Sequence, residues 1–174
     1  MQSGSRARRY GSRLPPFVDG SDASLFAWEG WTVGLQRDHR VIAVDLPAHG
    51  LTGPDPRGRY SPVAMAGFVE HFVGALGVPL FSLAGNSMGG GVAWRYALLH
   101  PEQAERLILV DSAGYPRDEP KPLAFCLAAM PILGRVVRWV TPRRLVARSL
   151  RNTHGDPSCV SDALVDRYED LLLL

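Results

Sequence analysis

The sequence predicts an α/β fold, a parallel sheet flanked by helices with a wholly helical segment after it. Three observations carry that reading. Short apolar runs suited to strands buried on both faces stand at 41–45, 79–84 and 106–111. Helical stretches lie between them, at 61–76 and 88–99, and strand–helix alternation at these lengths implies βαβ crossovers. After Asp111 the sequence turns to proline-separated helical stretches only.

Taken in order, residues 1–18 have no clear period, and Pro15-Pro16 breaks any regular element there. Arg6, Arg8, Arg9 and Arg13 among small polar residues read as a disordered tail, with a basic arm as the other reading. Ser24 to Gln36 reads as a short helix with Ser24 as N-cap. Val41-Ile42-Ala43-Val44-Asp45 is the first strand, and Pro47 to Tyr60, rich in glycine and proline, is loop. Ser61-Pro62 opens a helix as cap and first helical residue, and Gly77 closes it. The strand at 79–84 runs directly into a glycine-rich turn and the helix ending before Pro101, and Arg106 to Asp111 is the third strand. Helical stretches at 123–130, 132–140, 143–150 and 161–173 complete the chain. This gives a tail at 1–18, a core at 19–116 and a helical segment at 117–174.

Composition limits the function classes. The chain has 174 residues, 46% of them apolar and 21% charged, which suits one globular domain with a substantial core. A net charge of +2 is too mild to argue for nucleic acid. No run is long and apolar enough to span a bilayer, and no apolar core follows the N-terminal arginines as in a secretory signal. Cys126 and Cys159 lack metal or redox spacing and read as reduced, structural thiols. The expectation is a cytoplasmic protein without membrane or nucleic-acid partners.

The chemistry concentrates in Gly85-Asn86-Ser87-Met88-Gly89, a G-x-S-x-G between a strand and a helix. A sharp turn there strains the central residue and lifts its side chain clear of the sheet. The glycines on either side let strand and helix approach. Ser87 Oγ then sits at a helix N-terminus, where developing negative charge is favoured.

These residues together resemble the α/β-hydrolase family, in its serine-nucleophile branch. The elbow matches, and Asp45-Leu46-Pro47-Ala48-His49-Gly50 looks like the family's D-x-P-G-x-G loop. The strand ending in Asp111-Ser112-Ala113-Gly114 looks like the family's sixth, and the helical segment from 117 like its lid. The resemblance covers 19–174 and implies a serine hydrolase acting on a small-molecule ester or related acyl bond, with no cofactor and no metal. Serine at the elbow argues against dehalogenase or epoxide-hydrolase chemistry, which in this fold uses a carboxylate nucleophile. By the same resemblance Ser87 is the nucleophile, the Met88 backbone N–H one oxyanion donor, and the Gly20-Ser21 segment the other, with Ser21 as candidate. Asp111 is either the acid of the triad or an aspartate bonding its own loop.

The base is the open position. Asp19-Gly20-Ser21 stands where the family has His-Gly-x, and no counterpart of the late strand with the catalytic histidine precedes Leu174. His39, His49, His71 and His100 have structural readings, and His154, in a loop of the helical segment, is the substitute base to consider. Phe125, Met130, Leu133 and Trp139, with their apolar neighbours, either line a substrate cavity or form the lid's own core. Three readings follow: a hydrolase impaired by a missing histidine, a non-catalytic binding protein on the same scaffold, or a fragment of a longer hydrolase truncated within the lid. A sheet without its flanking strands is expected to self-associate through its exposed edges.

Overall fold

The computed structural model describes residues 16–18, 25–114 and 143–172. The chain divides into two compact units, 1–114 and 115–174. The first contains β1 (Pro16–Val18), a 3-10 turn (Leu25–Trp28), α1 (Glu29–Leu35), β2 (Ile42–Val44), α2 (Pro62–Ala75), β3 (Phe81–Asn86), α3 (Ser87–Leu99) and β4 (Ala104–Val110). The strands form one sheet of order β2-β1-β3-β4, and every pairing is parallel.

Side chains alternate across this sheet with the period of two that a strand imposes. Ile42, Val44, Phe81 and Leu83 turn toward α2 and α3, where they pack with Met65, Ala66, Val69, Val73, Val92, Ala93 and Tyr96. Ala43, Ala84 and Ile108 turn to the opposite face and meet Trp28 and Leu35. Both faces are thus covered, which explains why the strands read as unbroken apolar runs. The buried positions 65, 66, 69 and 73 of α2 recur at helical spacing on one face. Ser61 caps that helix, its hydroxyl accepting from the Ala64 N–H at 3.2 Å, with Pro62 at the first helical position.

β1 corrects the sequence reading, which places no regular element within 1–18. Pro16 is the first residue of the strand, where a missing N–H is tolerated. The strand lies in the middle of the sheet, Phe17 opposite Ala43 on one side and Ala84 on the other. Three residues carry no period to read, so the pairing partners on either side create this element. β3 and β4 also sit up to two residues from their expected bounds, with β3 extending through Asn86 to the first residue of α3. Ser24 and the helical stretches at 123–130 and 132–140 lie outside the described residues.

The second unit contains α4 (Arg143–Thr153), a 3-10 turn (Pro157–Cys159) and α5 (Asp162–Leu172). Val146, Ala147 and Leu150 of α4 pack on Val160 and Val165. Arg143 bridges the two helices, donating to Asp166 at 2.7 Å and to Asp162 at 3.2 Å. Asp156 caps the turn between them, accepting from the backbone N–H and the hydroxyl of Ser158.

Tyr96, fully buried on α3, gives the first unit an alkaline limit. Its hydroxyl donates to Gln103 Oε1 at 2.6 Å. Burial, then the Glu70 and Glu102 carboxylates, push its pKa up to about 12 from 10.0. The unfolded chain releases this proton first. The contribution is therefore full below about pH 10 and is lost as pH rises toward 12. Urea unfolding across that range is expected to show a decline of up to about 3 kcal/mol from this group. Tyr96→Phe removes that part of the slope and costs about 1 kcal/mol at neutral pH through the lost hydrogen bond.

Candidate active site

The site is built where β3 becomes α3 without an intervening loop. Asn86 is the last strand residue and Ser87 the first helical one. Ser87 has φ +48°, one of three non-glycine residues with positive φ among the described residues. That left-handed conformation costs roughly 1–3 kcal/mol and turns the chain sharply enough to present the serine at the helix start. The turn depends on Gly85. A Cβ there would lie 2.6 Å from the Gly89 carbonyl carbon and 2.7 Å from the Gly90 nitrogen. No side chain fits between the end of β3 and the first turn of α3.

Ser87 is half-buried, and its hydroxyl makes no hydrogen bond among the described residues. The Met88 N–H belongs to the first turn of α3, whose donors have no partner within the helix. An acyl oxygen drawn to this end of the helix would meet that donor and the positive end of the helix dipole. The Met88 side chain packs against the core beneath.

Asp111 follows β4 directly. Asn86 pairs with Val110 in register, which puts Ser87 and Asp111 at the ends of adjacent strands. Asp111 also has positive φ, +42°, and its side chain is exposed. The turn after it is tied to the elbow, as the Ala113 N–H donates to the Ser87 carbonyl at 2.8 Å. Ser21 lies outside the described residues. The last described residue before it, Val18, pairs with Gly85.

Asp45 is buried to 1% exposure and acts as a backbone clamp. One carboxylate oxygen accepts from the Leu25 N–H at 2.6 Å and the other from the Leu51 N–H at 2.9 Å. It joins the chain entering the 3-10 turn to the loop after β2.

The histidines of the first unit have other engagements. His49 Nδ1 donates to the Pro47 carbonyl at 3.0 Å and His71 Nδ1 to the Gly67 carbonyl at 2.6 Å. His100 lies at the opposite end of α3 from Ser87, its ring tilted 34° against Tyr96 between Glu70 and Glu102. His39 is exposed in the turn after α1. His154, in the second unit, bonds the Leu150 carbonyl through Nδ1 at 2.7 Å. A cleft of about 450 Å³ lies between the 55–59 turn and α2, and Ser87, Met88 and Asp111 do not line it. Among the described residues no helix is long and apolar enough to cross a membrane, and no cluster of three metal-ligating side chains occurs.

A family model described as alpha/beta hydrolase fold matches residues 17–151. The chain belongs to the α/β-hydrolase fold family. Among curated proteins it is similar to an uncharacterized protein of Mycobacterium tuberculosis, 35% identical over 115 residues, covering 66% of this chain and 33% of that one. It is also similar to the 2-hydroxymuconate semialdehyde hydrolase of a Pseudomonas species, 36% identical over 103 residues, covering 56% and 35%. Among solved structures it resembles a meta-cleavage product hydrolase from Pseudomonas fluorescens, with TM-score 0.74, 27% identity and coverage of 93% and 57%. An epoxide hydrolase superposes with TM-score 0.79 at 22% identity, a likeness of fold alone. The chain spans about a third of the length of these curated relatives.

Two substitutions test the construction of this α/β-hydrolase site. Gly85→Ala is expected to lower stability in urea denaturation by about 1–3 kcal/mol or more, because backbone surrounds the added methyl group. Asp45→Asn replaces an acceptor with a donor facing Leu25 or Leu51. It is expected to cost about 1–3 kcal/mol, and hydrogen exchange is expected to quicken at those two amides.

Proposed function

We propose that the protein is a serine hydrolase acting on esters or related acyl bonds of small molecules, with Ser87 as nucleophile. The observation that supports this best is a serine held at φ +48° at a strand-to-helix turn, its hydroxyl without a hydrogen bond among the described residues. A structural serine needs no such strain. In the proposed reaction Ser87 Oγ attacks the acyl carbonyl carbon, its proton passes to a base, and the Met88 N–H holds the oxyanion. Ser21 is assigned the second donor and Asp111 the acid that orients the base. Losing one oxyanion donor costs about 2.7–4 kcal/mol of transition-state stabilisation. The names of the relatives, hydrolases of 2-hydroxymuconate semialdehyde and of a meta-cleavage product, agree with a small carbonyl substrate. We assign 117–174 to the lid segment of the family and the protein to the cytoplasm, where the exposed thiol of Cys159 stays reduced.

None of the first unit's imidazoles, His39, His49, His71 and His100, hydrogen-bonds Ser87, so turnover by this chain is expected to be weak. The same observation favours the second reading, a ligand-binding protein on a hydrolase scaffold. A fluorophosphonate probe separates the two. Slow labelling, abolished by Ser87→Ala, supports the impaired hydrolase. Rapid stoichiometric labelling overturns the impairment. Saturable binding of an ester without labelling supports the binding protein.

The edges of the sheet support a further part of the reading. Among the described residues β4 pairs on one side only, and Leu107, Leu109 and Val110 are exposed along it. Self-association through this edge is proposed on that ground. Sedimentation velocity is expected to show concentration-dependent oligomers that Leu109→Lys diminishes; a monomer at all concentrations rejects it.

A further inference from the structure

We propose that Trp94 is a positioning residue for Ser87, acting through the turn that follows β4. The proposal rests on the reading of Ser87 as the nucleophile. Trp94 lies on α3, two helical turns beyond Ser87. Its indole Nε1–H donates to the Ala113 carbonyl at 3.0 Å, and the Ala113 N–H donates to the Ser87 carbonyl at 2.8 Å. One residue's backbone therefore joins the indole to the strained peptide of the elbow.

The contact is built into the turn. Gly114 has φ +124°, and a Cβ there would lie 2.6 Å from the indole nitrogen and 2.8 Å from its ring. Gly90 admits the Ser112 side chain, which a Cβ would meet at 2.7 Å. On the indole's face lies the Arg95 guanidinium, 4.1 Å from the ring centroid and itself bonded to the Gly91 carbonyl at 2.8 Å. The indole is thus held in place by a cation–π contact as well as by its hydrogen bond.

This latch has a consequence for reactivity. Ser87 and Asp111 are both left-handed residues at the ends of adjacent strands, and the turn 111–114 is the covalent continuation of one and a hydrogen-bond donor to the other. Loosening Ala113 removes the bond that ties the Ser87 carbonyl, already in the first turn of α3, to the turn after β4. The hydroxyl and the Met88 N–H then lose their fixed relation to an acyl group. Binding of a substrate's remote parts is untouched, so the loss falls on the chemical step.

The test compares Trp94→Phe, which keeps an aromatic ring and removes the donor, with Gly114→Ala, which pushes the indole off the turn. The full chain is titrated with a fluorophosphonate, and probe affinity is separated from the limiting rate of Ser87 modification. Both variants are expected to lower the limiting rate roughly 5- to 20-fold, less than the roughly hundredfold loss of a 1 Å misplacement of reacting groups, with affinity within about twofold. Amide exchange is read alongside: Ala113 is expected to lose at least about tenfold protection while Ile108 in β4 keeps its own. Equal limiting rates, or a change confined to affinity, overturn the proposal. If the unaltered chain is not labelled at all, the nucleophile reading fails separately. The exchange result then decides the latch, with unchanged Ala113 protection in Trp94→Phe rejecting it.

Discussion

The end of β3 and the start of α3 are separated by a gap that only a hydrogen atom can fill. Gly85 stands in that gap against the Gly89 and Gly90 backbone, and the left-handed Ser87 is the hinge that allows the approach. Strand and helix then share one continuous backbone with no loop between them, so the serine has little freedom to move. The core supports this arrangement from below. Phe81 and Leu83 of β3 and Val92, Ala93 and Tyr96 of α3 belong to one buried cluster, which offsets the cost of the strained residue.

Around this hinge the loops at the C-terminal ends of the strands are held by hydrogen bonds, beside the apolar anchor of Leu46 after β2. Asp45 ties the chain before the 3-10 turn to the loop after β2. The Ala113 backbone ties the turn after β4 to α3. The contrast in chemistry follows from position. Strand interiors face helices on both sides and carry apolar residues, whereas loop backbones need partners for their N–H and C=O groups. A buried carboxylate that accepts two backbone N–H groups provides them at one site. In the second unit an ion-pair cluster around Arg143 plays the corresponding part on the surface, where solvent screening leaves it a small share of the stability and the Val146, Leu150 and Val165 contacts the larger one.

Much of the fold was legible in the sequence because its signals are local. Val41 to Val44, Leu80 to Ala84 and Arg106 to Val110 are β-branched and aliphatic runs of strand length; Ser61-Pro62 is a helix start; Gly85 to Gly89 forms a turn that few residue types could adopt. Each depends on side-chain chemistry within a few residues of itself. The positions of the candidate residues were legible to the same extent: the elbow placement of Ser87 and Met88 follows from one short motif, and that of Asp111 from the end of one strand.

The sequence by itself determined the α/β class, the helix on either side of β3 and the residue at the elbow, because steric limits on the backbone act between near neighbours. Tertiary structure decided the rest. It made Pro16–Val18 a strand, since three residues have no periodicity and become extended only between two partners that supply their hydrogen bonds. It assigned Asp45 to backbone amides 20 residues before it and 6 after, and it brought Trp94 to Ala113 across a separation of 19. Contacts of that kind arise only when the parallel crossovers fold distant segments onto one end of the sheet, and no pattern within a short window of sequence encodes them.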